Sequence, residues 1–245
     1  MTFTIVSLLP TLQNTNGDAQ NAAVLAQRAR WAGLEAEVVA VDDRSTLPDR
    51  VDAVVLGSGS DASLETSRSA MLGLHDELRR WGTEGVPILA VGTGWELLSW
   101  GIETAGGRSI EGLGILPGRA VPRDGRVTGD LIVKSPLLGV FVGFENHARD
   151  YVGAEGSPLG RVRAGAGNGR ESGQEGVVMG AVFGTHLHGP VLAKNPGFAD
   201  HLLGIMADRA GLGYVPGGRS EEVDGYAMAA RTAQLRAAGV EASIG

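Results

Sequence analysis

Cysteine is absent from this 245-residue chain, which excludes disulfides, thiolate metal sites and any cysteine nucleophile. Basic residues are in deficit: 21 Lys and Arg face 28 Asp and Glu, a formal net charge of -7. With no Lys/Arg run to make a local exception, a nucleic-acid binder working through a basic face is excluded. No stretch approaches the ~20 apolar residues that a membrane span needs. The first residues, Met1-Thr-Phe-Thr-Ile5, lack the basic start and apolar block of a signal peptide. They read as a first strand, and the cytoplasm is the expected location. Internal repeats and low-complexity tracts are lacking too.

What is present is ordinary globular material. Hydrophobic residues make up 43% and charged residues 20%, and the length suits one α/β domain closed over a large core. Glycine is abundant, at 39 residues, so tight turns and close backbone approaches are expected.

The first half alternates strand and helix. Thr2–Leu9 is β-rich and runs into a polar turn, Pro10–Asp18. Ala22, Leu25, Ala29 and Ala32 recur at helical spacing, so 20–31 reads as a helix with Gly33 as its stop. Ala36–Val41, Ala53–Leu56 and Pro87–Val91 are short apolar runs, as buried parallel strands require. Met71, Leu74, Leu78 and Trp81 mark one helix face over 68–82, and 95–102 reads as a short helix. This alternation predicts right-handed crossovers and a mostly parallel sheet flanked by helices, with ligands at the carboxyl ends of the strands.

The second half reads as short strands broken by Gly-rich turns, over 113–121, 130–134, 140–144, 160–164 and 177–185, with one long helix over 196–210. Gly211–Arg219 reads as a linker and Glu221–Ala238 as a helix that Gly225 weakens. The expected organisation is one α/β domain over 1–210 and a linker with a helical tail over 211–245.

The most informative segment is Ile88-Leu-Ala-Val-Gly-Thr-Gly-Trp-Glu-Leu-Leu-Ser99. A buried strand runs directly into a helix through Gly92-Thr93-Gly94. Hydrolytic α/β enzymes use such a turn to expose a nucleophile beside backbone N–H groups that hold an oxyanion. Alone, Gly-x-Gly here is weak evidence, since such a turn more often serves only close strand–helix packing.

Several further segments carry a resemblance. Asn16-Gly-Asp-Ala-Gln-Asn21 is similar to the pattern Tyr-Gly-Asp-x-Gly-Asn, and Gly57-Ser-Gly-Ser-Asp61 to Gly-Gly-Gly-Gln-Asp. Ala90–Leu98 stands where the pattern has Ala-Ile-Cys-Gly-Gly-Tyr-Gln-Leu-Leu. Gly143-Phe-Glu-Asn-His147 matches outright. Gly165-Ala-Gly-Asn168 resembles Gly-x-Gly-Asn, and Gly184-Thr-His-Leu-His-Gly-Pro190, followed by Asn195-Pro196, resembles Gly-Thr-Tyr-x-His-Gly-Pro and its Asn-Pro. In this order and spacing they resemble the class I glutamine amidotransferases related to cobyric acid synthase, and within them the GatD-type glutaminase subunits of lipid II isoglutaminyl synthase.

The resemblance implies a flavodoxin-like α/β fold, no cofactor, and a cysteine that attacks the side-chain amide of glutamine while a histidine moves the protons. The ammonia passes to a partner, a Mur-ligase-like ATP-dependent synthetase subunit. The histidine falls at His188, an arginine for substrate glutamine at Arg126, and further substrate contacts at Gly57, Gly59 and Thr93. The cysteine position is Gly92.

Gly92 has no side chain, so the covalent thioester route is closed. Loss of a triad nucleophile costs ~10⁴–10⁶ in rate in serine protease series. The neighbours differ too: Thr93 replaces Gly, Trp95 replaces Tyr, Glu96 replaces Gln, and Ser60 replaces Gln. A degenerate glutaminase subunit is therefore the leading expectation. An amidohydrolase of altered chemistry using His188, and a binding module for glutamine or a related molecule, are the alternatives. His188 either moves protons or only hydrogen-bonds in a pocket, and His186 reads as a satisfied structural histidine. Thr93 as substitute nucleophile suffers from a one-residue shift that redirects its side chain. Glu145, Asn146 and His147 are expected to organise the sheet and loops. Arg126 either binds a carboxylate bidentately or is a solvated turn residue. Trp95 is the candidate to fill the space left at Gly92. No His/Asp/Glu spacing suggests a metal site, and Gly57-Ser-Gly-Ser60 lacks the Lys-Ser/Thr of a phosphate loop.

Overall fold

A computed structural model of the chain describes residues 1–169 and 171–240. Its centre is a six-stranded sheet in the order β11-β12-β4-β3-β1-β2. The parallel strands are β1 (Thr2–Leu8), β2 (Glu35–Val41), β3 (Ala53–Leu56), β4 (Ile88–Val91) and β12 (Val182–Thr185), while β11 (Val177–Met179) runs antiparallel to β12 on one edge. The inner strands β3, β4 and β12 are buried throughout, which explains the unbroken apolar runs of β3 and β4.

Two hydrophobic cores cover the two faces of this sheet. One face packs beneath α1 (Gln20–Trp31), α5 (Val191–Lys194) and α6 (Pro196–Arg209), through Phe3, Leu25, Phe183, Phe198 and Leu202. The other packs beneath α2 (Leu64–Leu72), α3 (His75–Thr83) and α4 (Thr93–Leu98), through Met71, Leu78, Trp81, Trp95 and Leu98. The helical face expected over 68–82 is buried, but the helix is two helices. Gly73 and Leu74, with Leu74 at φ −118°, ψ 12°, interrupt it. The periodicity passes through this break because Met71, Leu74, Leu78 and Trp81 all still face the core.

The second sheet is mostly antiparallel. It has the order β10-β9-β7-β5-β6, with β8 pairing β7, from β5 (Gly101–Glu103), β6 (Ser109–Glu111), β7 (Arg119–Ser135), β8 (Gly139–Val152), β9 (Gly160–Ala164) and β10 (Gln174–Glu175). The expected short strands are corrected here. Segments 130–134 and 140–144 are pieces of two long strands that form one hairpin, with a register shift between Pro122 and Val127. Pro122 opens that irregular stretch and Gly125 sits within it, where a bulge tolerates residues that otherwise read as turns, while Gly129 lies in the regular ladder opposite Glu145.

Three other boundaries move. The helix expected over 95–102 ends at Leu98, and Gly101 starts a strand at φ +154°. Residues 113–116 are loop rather than strand: the Leu113, Ile115 and Leu116 amides donate to the Leu97 and Leu98 carbonyls and so close the end of α4. Residues 177–185 form a hairpin, β11 and β12, turning at Gly180.

After Gly211, helix α7 (Gly218–Ala237) packs back onto α1 and α5. Its Leu235 joins Ile132, Val140 and Val142 in a third apolar cluster. Buried Arg28 of α1 ties the tail down with forked bonds to Asp200 of α6 (2.7–3.0 Å) and Asp224 of α7 (2.5 and 3.1 Å). No described helix is long and apolar enough to cross a membrane.

Candidate functional site

At the carboxyl end of the main sheet lies a cleft of about 450 Å³ lined by Asn16, Ser58, Gly59, Asp61, Gly92, Thr93, Glu96, Arg126, Asn146 and Arg149, among others. The sheet's construction places it there. β4 lies between β3 and β12, and the chain leaving Val91 must turn at once into α4. It does so at Gly92, with φ +54° and ψ −124°, a region that costs a residue with a Cβ of order 1–3 kcal/mol. The Gly92 amide donates to the Thr185 carbonyl at 2.9 Å, fixing the bend to β12.

A Cβ at residue 92 would lie 2.5 Å from the Ser58 hydroxyl oxygen, 2.8 Å from Ser58 Cβ and 3.1 Å from His188 Cε1. The space beside Gly92 is thus filled by Ser58, not by Trp95. Trp95 is fully buried against Gly184 and packs at a tilt on Tyr151, with ring centroids 4.1 Å apart. In Gly57-Ser-Gly-Ser-Asp61, Ser58 stands where the resembled pattern has glycine.

His188 is fully buried behind the cleft. Its backbone bridges to Phe144 of β8, and its Nδ1 lies 2.8 Å from Oδ2 of Asp18, also fully buried. A carboxylate so placed fixes the tautomer and leaves Nε2 as the basic nitrogen. Asn16 Nδ2 lies 3.2 Å from Nδ1 and 3.4 Å from Nε2. The chain of contacts runs on: Asn146 Nδ2 donates to Asn16 Oδ1 at 3.3 Å, and Arg126 Nη1 donates to Asn146 Oδ1 at 2.7 Å. Arg126, on the rim, has no carboxylate partner among the described residues, which leaves its guanidinium available to an anion.

Thr93 is held rather than poised. Its hydroxyl accepts from the Gly59 amide at 2.7 Å and donates to Gln13 Oε1 at 2.9 Å, while Gln13 Nε2 donates to Ser67 at 2.7 Å. The Thr93 amide donates to the Ser58 hydroxyl at 3.2 Å. Gly57 does not line the cleft. A Cβ there would collide with the Gln13 carbonyl oxygen and meet Asp18 Cβ at 3.0 Å, so this glycine allows close packing behind the site.

The far wall is an ion network. Arg149 bonds Glu96 at 2.8 Å and Asp61 at 2.9 and 3.1 Å. Burial pushes the Glu96 carboxyl up from its ordinary range, against the pull of Arg149. The Arg149 hydrogen bond holds Asp61 below the ordinary range. Behind it, Glu145 accepts from the Ala166 and Gly167 amides at 2.7 and 2.9 Å and faces His147 Nε2 at 3.1 Å. His186 is structural but not satisfied: it stacks on His147 at 4.1 Å, and neither ring nitrogen has a hydrogen-bond partner among the described residues. Burial drives its pKa well below the ordinary imidazole value.

Of the residues expected at the site, Gly92, Thr93, Gly59 and Arg126 line the cleft, and His188 lies against Gly92 from behind. Sequence reasoning passed over Ser58 and Asp18, although both sit inside quoted motifs. The signal for Ser58 was a serine in a glycine position, and for Asp18 a carboxylate kept at the Asp of the resembled Tyr-Gly-Asp pattern.

Comparison with known proteins gives the chain's family. The chain is 32% identical over 227 residues to the GatD subunit of lipid II isoglutaminyl synthase (glutamine-hydrolyzing) from Staphylococcus aureus, covering 92% of this chain and 91% of the relative. The GatD subunit from Streptococcus pneumoniae is 29% identical, over 81% and 78% of the two chains. A crystal structure of a glutamine amidotransferase shares the fold with a TM-score of 0.56 at 20% identity, over 82% of this chain and 98% of that one. The model of the CobB/CobQ-like glutamine amidotransferase domain matches residues 6–196, and the chain belongs to that family.

Proposed function

We propose that this chain is a GatD-like subunit that recognises glutamine or a close relative but does not form the thioester of a working glutaminase. Its partner is a Mur-ligase-like, ATP-dependent synthetase subunit, to which it serves as scaffold or ligand sensor. The observation that carries this reading is the bend at Gly92. The backbone keeps the left-handed conformation of a nucleophile turn, yet the residue has no side chain and Ser58 fills the volume one would need. The guanidinium of Arg126 on the rim, bonded to Asn146 but to no carboxylate among the described residues, favours retained binding of a carboxylate. The names of the two relatives, each a subunit of a synthase, favour a role in a complex.

One observation favours a second reading. The Asp18–His188 pair is intact and buried, an arrangement that orients a general base and would serve an amidohydrolase acting through water. One experiment tests the first reading. The tagged chain is recovered from its native cells, its partners are identified and its mass in solution is measured. The first reading expects a stable heterodimer with a synthetase; a monomer with no such partner contradicts it.

A further inference from the structure

Gly92 is not the sole departure at the bend. Two hydroxyls, Ser58 and Thr93, stand where the resembled pattern has glycine, and each takes up one backbone N–H. The Thr93 amide donates to Ser58 at 3.2 Å and the Gly59 amide donates to Thr93 at 2.7 Å. In strand-turn-helix hydrolytic sites the oxyanion is held by the N–H after the nucleophile and by an N–H from a neighbouring strand-to-helix loop. Here those two amides are Thr93, next after Gly92, and Gly59, in the loop leaving β3. Both are already bonded to an oxygen of the chain itself.

We infer that Ser58 and Thr93 form an internal plug that occupies the oxyanion-holding amides, so that acyl transfer is blocked independently of the missing cysteine. The inference deepens the reading of a disarmed subunit and rests on it. Three features support the plug as a built one. The Thr93 hydroxyl is anchored by Gln13, which Ser67 holds in turn, so it is not free to swing away from Gly59. Ser58 and Thr93 are almost wholly buried, so water does not compete for these bonds. The Ser58 side chain also lies where a Cβ at residue 92 would project, 2.5 Å from its oxygen, so one residue excludes both the nucleophile and the oxyanion. The consequence for a bound amide is specific. Its carbonyl oxygen finds no free pair of N–H groups, is not polarised, and the ligand is held intact.

Because the chain has no native cysteine, a cysteine placed at residue 92 is its single thiol, and its chemistry reads out cleanly. We would compare Gly92→Cys with the triple variant Gly92→Cys/Ser58→Gly/Thr93→Gly, measuring iodoacetamide alkylation by mass spectrometry and ammonia release from glutamine. The plug predicts that Gly92→Cys alone stays at background in both assays. The triple variant should gain at least about 100-fold in ammonia release, since one oxyanion donor is worth ~10²–10³ in rate. Equal activity in the two variants overturns the plug, and so does a folded triple variant that remains inert. A wild-type chain that releases ammonia would instead sink the functional reading, whatever the variants do. Should a cysteine at 92 prevent folding, amide hydrogen exchange in Thr93→Val and Ser58→Ala serves in its place. The Gly59 amide should exchange at least 10-fold faster in the first and the Thr93 amide in the second; unchanged exchange overturns the plug.

Discussion

Replacing Gly92 by alanine tests the geometry of the bend without any catalytic assay. The substitution adds one Cβ at φ +54°, ψ −124°, where strain costs of order 1–3 kcal/mol. The same Cβ meets Ser58 Oγ at 2.5 Å and Ser58 Cβ at 2.8 Å. Ser58 is pinned by the Thr93 amide and cannot withdraw freely, so overpacking adds roughly 1–3 kcal/mol. The sum is about 2–6 kcal/mol, and each kcal/mol lowers Tm by ~2–4 °C for a domain of this size. In a Ser58→Gly background the second part disappears, so Gly92→Ala should cost about 1–3 kcal/mol less there. Urea unfolding of wild type, both single variants and the double variant gives this coupling directly. A cost below about 1 kcal/mol, or no coupling to residue 58, would refute the account of the bend.

Three further outcomes follow from named contacts. Arg28→Leu leaves the Asp200 and Asp224 carboxylates facing each other without their shared cation. Stability should fall by about 3 kcal/mol, at the low end for a broken buried pair because both carboxylates are partly exposed, and protease cleavage should concentrate in α7; unchanged cleavage there would contradict the latch. His186, neutral and buried beside Glu175 and His147, has its pKa pushed well below 6.5, first by burial. The unfolded chain therefore takes up a proton that the folded chain refuses, so this contribution to stability is complete above about pH 6.5 and is lost as pH falls below it. Replacement by phenylalanine should flatten the stability profile there by up to about 1.4 kcal/mol per pH unit, and parallel profiles would refute it. Arg126→Ala should weaken glutamine binding by roughly 10–100-fold in calorimetry, the worth of a charge-assisted pair, whereas unchanged affinity would return Arg126 to a solvated surface residue.

The legible parts of the fold were those set by burial. The inner strands of the main sheet run unbroken through Ala53–Leu56 and Ile88–Val91 because both faces are covered, and their sequence shows it. The α1 boundaries were plain for the same reason. Periodicity could not show the interruption at Gly73 and Leu74, since both helices present the same face to the core. Nor could punctuation by Pro122 and Gly125 be told from turns, because a bulged hairpin uses the same residues. At the site, motif order located Gly92, His188 and Arg126, all of which surround the cleft or abut it. Ser58 was illegible as a filler, because whether a serine in a glycine-rich turn faces a cavity or solvent depends on the approach of β3 to β4. The lack of partners for His186 likewise follows from packing against His147 and Trp95, not from any local pattern.

Ammonia release from glutamine by the purified chain, alone and with any synthetase subunit that copurifies, measures directly whether thioester chemistry is lost. The result expected is no release above the uncatalysed background in either case. Release at a steady catalytic rate that vanishes in His188→Ala would contradict it.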